Sequence, residues 1–139
     1  PEPFDQSFNG EYLFQRARKK KIAVKNFIMD NRIVVGAGNI YANEALFISG
    51  IRPTRPAGKV TKAECQALVE AIIMVLKSSI KMGGTTLKDF VGGDGKPGYF
   101  QQTLRVYDRE QRPCRKCNTP IKALRIGQRS SYYCPHCQK

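Results

Sequence analysis

Apolar residues recur at helical spacing in four stretches of this chain and at strand spacing near its end. An extended segment over 1–8 leads to Tyr12, Leu13, Phe14 and Ala17, a stripe that predicts a helix over 10–21. That helix ends in Arg16, Arg18, Lys19, Lys20 and Lys21. Cations suit the negative end of a helix macrodipole, and the same run is a candidate phosphate-facing rim. A short second helix is expected over 22–29, burying Ile22, Phe27 and Ile28 and stopped by Asp30 and Asn31. Gly36-Ala37-Gly38-Asn39 then turns tightly into a third helix over 40–49, closed by Gly50, with Asn39 as its N-cap. Thr61-Lys62-Ala63-Glu64 is a capping box. It opens the longest helix, 62–82, which carries Cys65, Leu68, Ile72, Val75, Leu76 and Ile80 on one face and stops at Gly83-Gly84.

The rest of the chain changes character. Six of its twelve glycines, at 83, 84, 92, 93, 95 and 98, fall in one short stretch, which reads as a surface loop able to order over a ligand. Residues 100–107 alternate enough for a strand. Segments 121–126 and 131–134 pair as a hairpin, with a turn over 127–130 and Arg129 at its tip. The fold class expected is mainly α with a C-terminal β-hairpin.

Candidate chemistry sits around that hairpin. Cys114-Arg115-Lys116-Cys117 and Cys134-Pro135-His136-Cys137 are two C-x-x-C pairs separated by the sixteen residues 118–133. This spacing belongs to zinc sites, and four thiolates make a closed tetrahedral site that braces structure rather than reacting. Disulfides are the rival use. The count of five is odd, no basic start followed by an apolar run suggests a signal peptide, and a reducing cytosol favours metal. His136 reads as a solvent-facing neighbour of the site, and Cys65 as a small core residue.

Composition then narrows the partner. Lys plus Arg number 24 against 11 Asp plus Glu, a net charge of +13. Such a surface suits a polyanion, because neutralising phosphates releases condensed counterions. An anionic membrane would want one basic amphipathic helix, whereas these cations are spread over several segments. Gly36-x-Gly38 is not a dinucleotide fingerprint, since Tyr41 stands where the third glycine belongs. The start of the third helix, with Asn39 on it, is instead a candidate phosphate site. Arg129 on a zinc-braced hairpin is a candidate for phosphate or a base edge.

These motifs together resemble the bacterial formamidopyrimidine-DNA glycosylases, over essentially the whole chain. Gly38-Asn39-Ile40-Tyr41-Ala42-Asn43-Glu44 is similar to that family's helix–two-turn–helix motif. Residues 83–90 and 95–100 are similar to its lesion-recognition loop, and Gln128-Arg129 before Tyr132-Tyr133-Cys134 to its zinc-finger tip. The resemblance implies a helix–two-turn–helix domain over 1–100, a four-cysteine zinc finger over 101–139, and one structural Zn2+. It implies that Asn39 and Lys25 contact phosphate and that Arg129 enters the minor groove of kinked DNA. Thr85, Thr86, Leu87, Lys88, Asp89 and Phe90 would cover an everted base. The family excises oxidised purines such as 8-oxoguanine and cuts the strand.

In that family the amine of an N-terminal proline, followed by glutamate, starts the chemistry. Pro1-Glu2 looks alike, but Pro3 and a helix follow, where the family continues into a β-rich domain. Pro1 and Glu2 are therefore expected not to be catalytic, and the chain to be an inactive DNA-binding half with no catalytic residue of its own. Expected with this are a monomer, damaged or kinked double-stranded DNA and the missing N-terminal catalytic domain as partners, no membrane, and the bacterial cytoplasm. The alternatives are an endonuclease-VIII-like half acting on oxidised pyrimidines, a non-enzymatic zinc-ribbon module, and a protein–protein zinc adaptor.

Overall fold

A computed structural model of the chain describes residues 2–81 and 104–139. Helices α1 (Gly10–Ala17), α2 (Val24–Ile28), α3 (Asn39–Ser49) and α4 (Lys62–Lys81) precede a hairpin of β1 (Lys122–Ile126) and β2 (Arg129–Tyr133). A 3-10 turn, Ala57–Lys59, lies before α4.

α1 starts where Asn9 accepts a hydrogen bond from the Tyr12 N–H at 2.9 Å. It ends four residues earlier than its composition predicts. Arg18 leaves helical geometry and Lys19 is left-handed, with φ 64. The cause is tertiary. Residues 20–25 run antiparallel to 53–58, through Gly58 N–H to Lys20 O and Ala57 N–H to Ile22 O, both at 2.9 Å, and Val24 N–H to Arg55 O at 2.7 Å. The basic run thus lies beyond the helix, not on it. The same pairing shortens α2 and leaves Ile22 49% exposed rather than buried.

α3 begins one residue earlier than expected. Gly38 is its N-cap and Asn39 its first helical residue, so the Asn39 side chain is not spent on capping. Gly50, at φ 77, closes it. The capping box of α4 forms as read, with Glu64 N–H to Thr61 Oγ1 at 3.1 Å and Thr61 N–H to Glu64 Oε1 at 3.0 Å. Cys65, Leu68, Ile72, Val75 and Leu76 are buried against α1 and α3. The expected Gly83-Gly84 stop and the loop from Thr85 to Phe90 lie outside the described residues.

The expected strand over 100–107 is not found in its described part. Residues 104–108 form bends and a turn. The hairpin has its register at Ile126 opposite Arg129 and Lys122 opposite Tyr133, so the turn is only Gly127-Gln128. Arg129 therefore opens β2 instead of sitting within the turn. Gly127, at φ 64, supplies the left-handed first position that a two-residue hairpin turn requires.

Among the described residues two apolar clusters result. The larger joins all four helices. The smaller gathers Val106, Ile121, Cys114 and Cys134 around Phe47, a residue of α3. One helix thus serves both cores.

Candidate nucleic-acid interface

The two knuckles bring the sulfurs of Cys114, Cys117, Cys134 and Cys137 within 4.8 Å of one another. Cys114 and Cys137 Sγ are 3.9 Å apart, and Cys117 and Cys134 Sγ 3.5 Å. A zinc ion with Zn–S near 2.3 Å in a tetrahedron needs sulfurs about 3.8 Å apart, so the four residues fit the metal. Backbone N–H groups of Lys116 and Cys137 point at Cys114 Sγ and Cys134 Sγ, at 3.4 and 3.3 Å, as suits thiolate ligands. The Thr119 hydroxyl, 3.2 Å from Cys117 Sγ, pulls that thiol down to about 6. Burial pushes Cys137 up to about 12. A dication is what lets four such groups share one space as thiolates. His136 is exposed, outside the cluster, and Cys65 is buried and pushed up to about 11 by burial and by Glu64.

The hairpin is fixed to the helices by polar side chains. Lys25 is 0% exposed, and its Nζ donates to Ser130 O at 3.0 Å and Ser131 Oγ at 2.7 Å. Asn39 Nδ2 donates to the same Ser130 carbonyl at 3.2 Å. One turn on, buried Asn43 accepts from the Tyr132 N–H at 2.8 Å and donates to Asn39 O. Three side chains from α2 and α3 thus hold three consecutive residues of β2. At the other end, buried Gln138 accepts from the Cys134 N–H and donates to Ile51 O, while Arg52 donates to Pro135 O and stacks on Tyr133.

Asn39 and Arg129 then line one open cleft of about 360 Å³ with Met29, Asn31, Ile40 and Tyr41. A Cβ on Gly36 would meet nothing within 4 Å, so the backbone there is open to approach. The structure brings Asn39 and Arg129 to one surface cleft. It does not bring Lys25 there. The Lys25 ammonium lies beneath, occupied by the hairpin, and burial together with Arg129 lowers it to about 8.

Glu44 escapes the sequence reading. It is 1% exposed, and its carboxylate accepts the N–H groups of Arg105, Val106 and Tyr107 at 2.8, 2.9 and 3.1 Å. These bonds replace the strand partner that 104–107 lacks. The nearest signal was an acid followed directly by the apolar run Ala45-Leu46-Phe47-Ile48 in a helix. Tyr41 and Ser79 share a second link, a 2.8 Å hydrogen bond from α3 to the last turns of α4.

A helix–two-turn–helix domain carrying a four-cysteine zinc finger is thus defined by fold and site. Residues 1–91 match the formamidopyrimidine-DNA glycosylase H2TH domain, and residues 112–139 the zinc finger found in FPG and IleRS. The chain belongs to the formamidopyrimidine-DNA glycosylase H2TH family, and its four cysteines form the structural zinc site. It is 59% identical over 139 residues to a formamidopyrimidine-DNA glycosylase of Hahella chejuensis, covering all of this chain and 51% of that protein. A Salmonella paratyphi B relative of the same description is 57% identical over 139 residues, covering 100% and 52%. The chain therefore spans about half the length of the curated relatives it matches. Among solved structures, MutM (Fpg) of Thermus thermophilus superposes with TM-score 0.87 at 37% identity, covering 99% of this chain and 53% of that one. Lactococcus lactis Fpg in complex with abasic-site DNA gives 0.88 at 28%, covering 100% and 51%. Among the described residues no helix is long and apolar enough to cross a membrane.

Proposed function

We propose that this chain is the DNA-binding half of a base-excision-repair DNA glycosylase and AP lyase that removes oxidised purines, 8-oxoguanine and formamidopyrimidines among them. The observation that carries this is the meeting of three features on one open cleft: the start of α3, Asn39 and Arg129. Helix starts offer unpaired N–H groups and a positive dipole end to a phosphate. Asn39 Nδ2 has two hydrogens and Ser130 takes one, which leaves the other for a phosphate oxygen. Arg129, at the first position of β2, reaches from the zinc-braced hairpin into the groove of a kinked duplex. Lys25 contributes charge from beneath and holds the hairpin at the angle this needs.

The domain over 1–100 carries the phosphate site and the lesion loop, and 101–139 the finger. Thr85 to Phe90 cover the everted base. The reaction belongs to the part of the longer relatives that this chain does not match, where a proline amine attacks the sugar. Pro1 and Glu2 take no part. The protein works as a monomer on bacterial chromosomal DNA, in the cytoplasm.

The test is duplex binding with an abasic site, at fixed salt, by the chain and by Arg129→Ala. Arg129→Ala is expected to weaken binding about tenfold or more, as loss of a groove-reading Arg contact costs about 1–3 kcal/mol, with zinc content unchanged. Unchanged affinity would overturn the assignment of Arg129. Cleavage of an 8-oxoguanine strand by this chain alone would move the chemistry into it.

A further inference from the structure

The basic run displaced from α1 is built more rigidly than a solvated helix end needs to be. Residues 20–25 are held along 53–58 by main-chain hydrogen bonds. Gly58 makes the approach possible, since a Cβ there would lie 2.8 Å from Lys20 O and 3.2 Å from Lys19 N. Lys19 keeps a left-handed backbone, φ 64, where glycine or asparagine is the usual choice. Arg18, Lys19, Lys20, Lys21 and Lys59 are all exposed.

Among the described residues no ion pair offsets their charge. The ion pairs among the described residues join Arg32 to Asp30, Arg55 to Glu64, Lys62 to Glu11 and Arg105 to Glu44. None includes these five cations. They form a single-sign patch on a fixed backbone strap, the arrangement that holds phosphates by position rather than by base identity.

We propose that this strap is a second phosphate-binding surface, engaging the duplex that occupies the Asn39–Arg129 cleft on its flank, away from the lesion. The proposal rests on the DNA-binding reading above. Continuity argues for the same duplex. The strap feeds directly into α2, whose Lys25 grips the hairpin. A duplex bent at the lesion brings its flank toward the protein, and such bends are repaid by added contacts of this kind.

Duplex length separates this surface from the central one. Affinity is measured on abasic-site duplexes from about one helical turn, ~10 base pairs, to about three. The chain should gain affinity with length and level off only when the flank reaches the strap. Lys20→Gln with Lys21→Gln and Lys59→Gln should level off several base pairs sooner. On the longest duplex its salt slope should fall by about 0.9 for each phosphate it no longer neutralises, and on the shortest it should match the parent. Arginine at the same three positions should restore the parent behaviour. Gly58→Ala, which keeps every charge and displaces the strap, should resemble the glutamine variant. An equal loss at every length, no loss at all, or the same pattern from Lys62→Gln with Lys77→Gln would overturn the strap. Failure of the DNA-binding reading looks different: the parent would then not bind the shortest duplex, or Arg129→Ala would bind it as well as the parent.

Discussion

Lys25 is a cation placed where only neutral acceptors meet it, next to another cation. Burial first, and Arg129 second, lower it to about 8, whereas a free lysine titrates near 10.5. Phosphate nearby favours the charged amine. DNA binding should therefore take up a proton as pH passes upward through about 8, and affinity should fall across that window. Lys25→Met should flatten the profile between about pH 7 and 9.5, measured at constant salt, while Arg129→Ala, which removes the second cause of the shift, should lower the profile and move its fall to higher pH. A parent profile flat across that range would show that Lys25's charge is not coupled to binding. The four cysteines were fully legible in the sequence, because a metal cluster is written in local spacing. Asn39 was placed one position out. A cap and a first helical residue differ in whether the backbone is already helical, and here the Asn39 side chain, not needed as a cap, donates to Ser130, 91 positions away.

Helix interiors followed the hydrophobic period, and helix ends did not. α4 carried its own capping box and started where it should. α1 and α2 had their ends set by the pairing of 20–25 with 53–58, a non-local partner that no window along the chain contains. Segment 104–107 failed as a strand for a related reason, since its N–H groups are taken by one carboxylate. Glu44→Ala leaves three donors unpaired. At about 1–3 kcal/mol for each that stays buried, this should destabilise the chain by about 3 kcal/mol or more. Glu44→Gln, keeping one carbonyl oxygen, should lose roughly half as much. Chemical denaturation reads both, and a loss below ~1 kcal/mol for the alanine variant would show that the clamp is not needed.

Across the molecule, the zinc cluster and the helical core are separate bodies of apolar contact that meet on α3, where Ile48 packs against both. Removing zinc with a chelator should melt the hairpin, exposing amides over 122–133 to exchange, and abolish DNA binding. Most of the helical circular dichroism should remain, because α1, α3 and α4 bury their faces on one another. Loss of both signals in one step would mean that the finger and the helices fold as one unit. The overall architecture was readable from charge, cysteine spacing and a few motifs. What joins its parts was not, because Lys25, Asn43, Glu44 and Gln138 look like ordinary polar residues until the fold gives each its partner.

Tyr41 holds Ser79 in the last turns of α4, and Glu44 holds the N–H groups of 105–107. Both abutments stand on a single pier, α3. A tilt of α3 at Asn39 would therefore be felt at both, and the last turns of α4 and residues 105–107 would shift as one.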